Sequence, residues 1–256
     1  MKPDKEWFKK YEQTKELLVP RVDLNEYFSK KEIAGKKLDI LNMGTVNFST
    51  GEFIVCDPLA YMERDIPAFI QKVPVGEFPV TASVVMPDEV DRAYYAAVKV
   101  EFSKETAVRY EEAVVGLEDF ENDYEEGDYF GFSVDAGLGC ILDKATRDAY
   151  CDFEDKWYEE NSTGNDAEDE SLDIYSDFFA DIFAASYTAA PKYQRAEGDW
   201  INWTVPGTDD QVPMFATGFG DGDYPVYIGY DKNNNVCNVV IEFIDIELAY
   251  ADEEND

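Results

Sequence analysis

The chain has 256 residues, 45% of them apolar and 15% aromatic, enough to close a sizeable core and to exclude disorder along most of its length. With 56 acidic against 22 basic residues the net charge is −34, a field that repels phosphate backbones and anionic lipid, so neither nucleic acid nor membrane is expected as a partner. Histidine is absent, which removes Ser-His-Asp and Cys-His catalysis and imidazole zinc sites, and leaves any metal to carboxylates, carbonyls or thiolates.

In chain order the first element is a helix. Asp4 is placed to cap a segment whose Trp7, Phe8, Tyr11, Leu17 and Leu18 share a face, and Pro20 ends it. Leu24 and Phe28, four residues apart, predict a second short helix over 24–31. From Lys37 the period shortens to β runs, LDILNMG, TVNFS and GEFIVCD, with Ser49-Thr50-Gly51 as the link of a hairpin and Pro58 as its stop. Further strands are expected at 79–86 and 92–102, either side of the turn Pro87-Asp88. TAVRYEEAVV alternates poorly but is read as strand. GLEDFENDYEEGDYF is a dense acidic loop whose like charges repel, so it should be solvated and mobile.

Residues 131–143, GFSVDAGLGCILD, read as a strand-to-helix hinge. Phe132 and Val134 end a buried strand, Asp135 holds the turn, and Gly137 and Gly139 take conformations closed to other residues. Cys140, Ile141 and Leu142 re-enter the core before Asp143 caps the next helix, where Ala149, Phe153 and Trp157 form an apolar stripe. After the polar loop 159–171, Leu172, Tyr175, Phe179, Ile182 and Phe183 give a second helix its apolar face, and Pro191 ends it. Strands return at DWINWTV, at QVPMFATGF and in the hairpin YPVYIGYDKNNNVCNVVIEF, and the acidic residues from Asp245 onward should fray. This order predicts an α+β fold of mainly antiparallel sheet, with an N-terminal helical segment over 1–33, a two-helix insert near 143–190 and an acidic tail over 245–256, in a single domain.

Three constellations invite a chemical reading. Asp57, Asp135 and Asp143 could form a carboxylate acid–base site, because neighbouring carboxylates are driven to different pKa values; such a site requires the three to converge. Gly137 and Gly139 could let backbone N–H groups approach a ligand beside Cys140, although a thiolate there would lack a cationic neighbour. Asp221 and Asp223 in GFGDGDYP could meet a hard cation, but two carboxylates rarely hold one, and no Walker loop or GxGxxG is present to bring a phosphate. DKNNNVCNVVIE has oxygen ligands at EF-hand positions, yet Val236 stands where that loop needs glycine, so it reads as a β-turn. No metal or cofactor is therefore expected.

Cys56, Cys140, Cys151 and Cys237 contain no CxxC pair and read as free buried thiols in a reducing compartment. The N-terminus lacks a signal-peptide h-region and no run reaches the length of a membrane span, so a cytoplasmic location is expected.

The series FSTGEFIVCDPL, VPVGEFPVTASVV, GFSVDAGLGCILD and GDGDYPVYIGYDKNNNVCNVVIEF resembles, in order and separation, the bacterial proteins grouped as domain of unknown function 4241, over roughly residues 40–243. The resemblance implies a soluble bacterial domain and supplies no catalytic residues. The leading functional expectation is a non-enzymatic binding protein whose acidic surface neutralises a basic protein partner, as an immunity protein does. The alternatives are a carboxylate-based hydrolase, with or without a divalent metal, and a scaffold or housekeeping module without chemistry.

Overall fold

A computed structural model describes residues 3–88, 92–162 and 172–251. It opens with α1 (Lys5–Thr14) and the single turn α2 (Leu24–Tyr27), followed by β1 (Glu32–Ile33), β2 (Lys36–Phe48), β3 (Phe53–Cys56), β4 (Gly76–Met86), β5 (Tyr94–Glu101) and β6 (Arg109–Glu112). Then come β7 (Phe132–Val134), β8 (Leu138–Asp143), α3 (Lys144–Asn161), a π-helical turn (Tyr175–Phe179) and α4 (Ala180–Ala189). The last elements are β9 (Trp200–Thr204), β10 (Gln211–Ala216), β11 (Gly222–Tyr224), β12 (Val226–Tyr230), β13 (Val236–Glu242) and α5 (Ile246–Ala249).

Every strand pairing is antiparallel, so the expected α+β class with a mainly antiparallel sheet holds. A seven-stranded sheet runs β1-β2-β4-β5-β13-β12-β6, a four-stranded sheet runs β3-β8-β10-β9, and β11 pairs with β7. The four-stranded sheet is apolar on both faces, and its period-2 alternation explains why. Phe53, Val55, Ile141 and Phe215 point into the core shared with the large sheet, where they join Val80, Val98 and Val239. Ile54, Cys140, Leu142 and Met214 point the other way, into a second core closed by Tyr150 and Cys151 of α3 and Phe183 of α4. Trp203 anchors that second core, with its ring 5.0 Å from Phe153 and 5.2 Å from Phe179, both edge-on.

Several local expectations hold. Asp4 caps α1 through the N–H groups of Glu6 and Trp7, and Asp143 caps α3 through that of Ala145. The 226–242 hairpin forms, with Asn234 at φ 62° in its turn. Others need correction. Residues Ser49–Gly51 do not close a hairpin: β2 pairs with β1 and β4, whereas β3 pairs with β8 in the other sheet. The link is a corner between sheets, because β3 is buried on both faces and belongs between two cores. α1 stops at Thr14 rather than Pro20, and α2 is one turn ending in Phe28.

The acidic loop after β6 is anchored, not free-standing. Phe120 packs against Trp7 at 5.4 Å and Phe130 at 5.3 Å, and the Trp7 indole N–H donates to the Glu118 carbonyl at 3.1 Å. Its aromatic residues outweigh the charge repulsion read from the sequence. At the C-terminal end, Asp245 caps α5 by accepting the Leu248 N–H, so the stretch to 251 is structured. Most of the polar loop expected at 159–171 lies outside the described residues.

Candidate functional site

The hinge at 131–143 contains two strands, β7 and β8, where the sequence suggested one, and Asp57 holds the turn between them. Its Oδ2 accepts the backbone N–H groups of Asp135 at 3.0 Å and Ala136 at 2.6 Å, and its Oδ1 accepts those of Leu59 at 2.9 Å and Ala60 at 3.2 Å. A fully buried carboxylate surrounded by four N–H donors is electrostatically satisfied, and it clamps two loops together. Asp143 is equally buried. Besides capping α3 it accepts the Thr50 N–H at 2.9 Å and the Thr50 hydroxyl at 2.8 Å, which fixes the corner between the sheets.

The three aspartates do not share a site. Cys56 pairs with Cys140 and Phe53 with Asp143, so Asp57 and Asp143 stand at opposite ends of the β3–β8 pairing. At ~3.3 Å per residue that separation is about 13 Å along the strands. Asp135 is exposed, and the Asp57 carboxylate meets its backbone N–H.

Gly137 and Gly139 have different reasons to be glycine. Gly137 sits at φ +66° with only the Asp221 carboxylate near the position of a Cβ, at 3.9 Å, so it is there for the turn. Gly139 is buried, and a Cβ would lie 3.0 Å from the Phe215 ring and 3.2 Å from the Thr217 methyl. It therefore serves strand packing and faces no ligand. Cys140 is fully buried with its Sγ 3.7 Å from that of Cys56. The neighbouring thiol and then burial push the Cys56 thiol well above its usual range, the opposite of what a nucleophile needs.

The two glycine-rich stretches do meet in space. The Thr217 N–H donates to the Gly137 carbonyl at 3.2 Å, and the Ser133 hydroxyl donates to the Asp223 carboxylate at 2.6 Å as β7 pairs with β11. Between them opens a cleft of about 590 Å³ reached by Gly137, Thr217, Gly220, Arg92 and Arg195. Its cations are already engaged. Arg195 is bound to the buried Asp199 at 2.7 Å through Nε, and the Arg92 guanidinium lies 4.7 Å from the centre of the Tyr94 ring. Asp173 lines the same cleft, so its charge is close to balanced and it does not select an anion.

Asp223 borders a second, smaller concavity of about 200 Å³ that the sequence reading did not find. Arg21, Tyr129, Tyr224, Tyr227, Glu242 and Asp245 are among the residues that line it. Tyr129 donates its hydroxyl to the Asp223 carbonyl at 3.1 Å. Glu242 had one legible signal, an acid directly after the apolar run Val239-Val240-Ile241. Burial first, and then the Asp245 carboxylate, push its acid up to about 7. Among the described residues no group of three or more acidic or thiol side chains is arranged to hold a metal ion.

The fold and these sites define an α+β protein in which a seven-stranded, a four-stranded and a two-stranded antiparallel sheet are joined by a helical layer. The chain belongs to the family described as Protein of unknown function (DUF4241), whose match runs over residues 46–241, slightly inside the span that the sequence resemblance suggested. No curated protein and no solved structure matches it. Among the described residues, no helix is long and apolar enough to cross a membrane.

Proposed function

We propose that this protein works by binding rather than by catalysis, and that its partner is a basic protein, held in the manner of an immunity protein that neutralises a cationic toxin. The observation that carries the reading is the outward disposition of the charge. Of the acidic residues described, only Asp57, Glu112, Asp143, Asp199, Asp231 and Glu242 are buried, so the acidic charge of the described residues lies almost wholly on the surface. Its few cations are shared among acids: Arg64 bridges Asp152 at 2.8 Å and Asp155 at 2.5 Å, and Glu52 draws in both Lys72 and Lys144. Such a surface accelerates encounter with a basic partner and rejects acidic ones.

Carboxylate chemistry gains no support from Asp57 and Asp143, whose oxygens are engaged by backbone and hydroxyl donors. Four buried free thiols fit the reducing, cytoplasmic setting that this role implies. The test is affinity capture from the native host at low and high salt, followed by reconstitution of a stoichiometric complex. A basic protein retained at low salt and released at high salt supports the reading; failure to retain any basic protein at low salt overturns it.

A further inference from the structure

Glu242, at the end of β13, is 7% exposed and lines the concavity beside Asp223; its backbone N–H donates to the Pro225 carbonyl, but its carboxylate has no hydrogen bond or ion pair among the described residues. A carboxylate in that state is costly, because burial strips much of its water and no protein donor replaces it. The nearest cation relieves it only in part: Arg21 attracts it through space, but makes no ion pair with it, and its guanidinium lies 3.7 Å from Asp128 with its stem over Gly127. Two further acids, Asp223 and Asp245, share the lining, so acids outnumber cations there by three to one.

The remaining lining has the chemistry that receives a cation. Tyr129, 42% exposed, supplies an open aromatic ring of the kind that attracts ammonium and guanidinium groups, with the buried Tyr224 and Tyr227 also in the lining. Leu248 of α5, 72% exposed, adds an apolar surface for an aliphatic stem. The volume, about 200 Å³, decides the size class. It is below the ~300–1,000 Å³ usual for a small-molecule or cofactor site and suits one long side chain.

We propose that this socket receives a single arginine or lysine side chain from a basic protein partner, with its cation seated against Glu242 among the tyrosine rings. The proposal rests on the acidic-surface reading for the identity of the partner, and it adds the anchoring residue that a diffuse charged surface lacks. Buried, desolvated pairs of this kind concentrate binding energy at a few positions of an interface.

The experiment titrates the full chain with N-acetyl-arginine N-methylamide, N-acetyl-lysine N-methylamide and the neutral isostere N-acetyl-citrulline N-methylamide, following amide chemical shifts around Glu242, Tyr129 and Tyr227. At least one cationic probe should saturate with shifts confined to the socket, and the citrulline probe should bind at least tenfold more weakly. Comparing the arginine and lysine arms tells guanidinium from ammonium. Glu242→Gln, which removes a buried unpaired charge without changing shape, should lose at least tenfold in cation binding, and Tyr129→Leu, at an exposed position, should lose several-fold. Equal binding of citrulline and arginine, or unchanged binding in both variants, overturns the socket. A basic protein captured equally by wild type and Glu242→Gln also overturns it while leaving the acidic-surface reading intact; capture of no basic protein removes that reading, whatever the probes do.

Discussion

The Asp57 carboxylate accepts the backbone N–H of Asp135 at 3.0 Å, while Asp135 itself is exposed. Two acids that look like a catalytic pair in sequence are thus a buried clamp and the turn it holds. The roles separate by mutation. Asp57→Ala strands up to four backbone donors in a buried site, and leaving such groups unpaired costs ~1–3 kcal/mol each before relaxation and water entry. A loss of about 3–5 kcal/mol in urea unfolding is expected for Asp57→Ala. Asp135→Ala, at the surface, should stay within ~0.5 kcal/mol.

Asp143 joins two features that are usually separate, a helix cap and a corner between sheets. The cap alone is worth ~0.5–2 kcal/mol. Because Thr50 donates both its N–H and its hydroxyl to the same carboxylate, Asp143→Ala should exceed a simple cap loss, at about 2–4 kcal/mol. Thr50→Val alone removes one donor. A double-mutant cycle between the two positions should give a coupling of ~1 kcal/mol or more, and additivity would show that the corner does not depend on the pair.

Local chemistry was legible in the sequence where one residue type decides the outcome. The caps at Asp4 and Asp143, the turn at 231–235 and the antiparallel class all follow from short-range rules. What was not legible is long-range. The Ser49–Gly51 link looks like a hairpin, and only the burial of β3 on both faces, set by partners far along the chain, sends it to the second sheet. The acidic loop reads as solvated by its charge, yet Phe120, backed by Phe130, anchors it to Trp7 and Tyr11 of a helix about a hundred residues away in sequence. Glu242 escaped because its isolation is a matter of which groups fail to reach it.

All four cysteines are buried and free, and burial raises the thiols of Cys151, to about 11, and of Cys237. High pKa and poor access act in the same direction on reactivity. At pH 8 the native protein should react with an aromatic disulfide reagent on the timescale of unfolding, and four thiols should titrate at once in denaturant. A thiol that reacts within seconds in the native state would show an accessible site and revise the packing around that cysteine, that of β3 against β8 if it is Cys56 or Cys140.

Glu112 offers a test of how burial couples to pH. Its Oε1 accepts the N–H groups of Phe130 at 2.7 Å and Gly131 at 2.9 Å, while its Oε2 is buried with no hydrogen-bond partner. Desolvation pushes the acid up to about 8, against the pull of those two N–H donors. For a carboxyl group whose folded pKa lies above its unfolded one, the unfolded chain loses its proton first. The stabilisation is therefore complete below the unfolded value and is lost as pH rises towards the folded one. Glu242, raised to about 7, acts in the same direction. Unfolding free energy should accordingly fall between pH 5 and pH 9. Glu112→Gln keeps the acceptor for Phe130 and Gly131 but cannot ionise, so its profile should be flatter. At ~1.4 kcal/mol per pKa unit, the variant should gain on wild type by at least about 1 kcal/mol between pH 5 and pH 9. Parallel pH profiles for the two proteins would mean that Glu112 ionises in the folded chain at an ordinary pH, with water reaching Oε2.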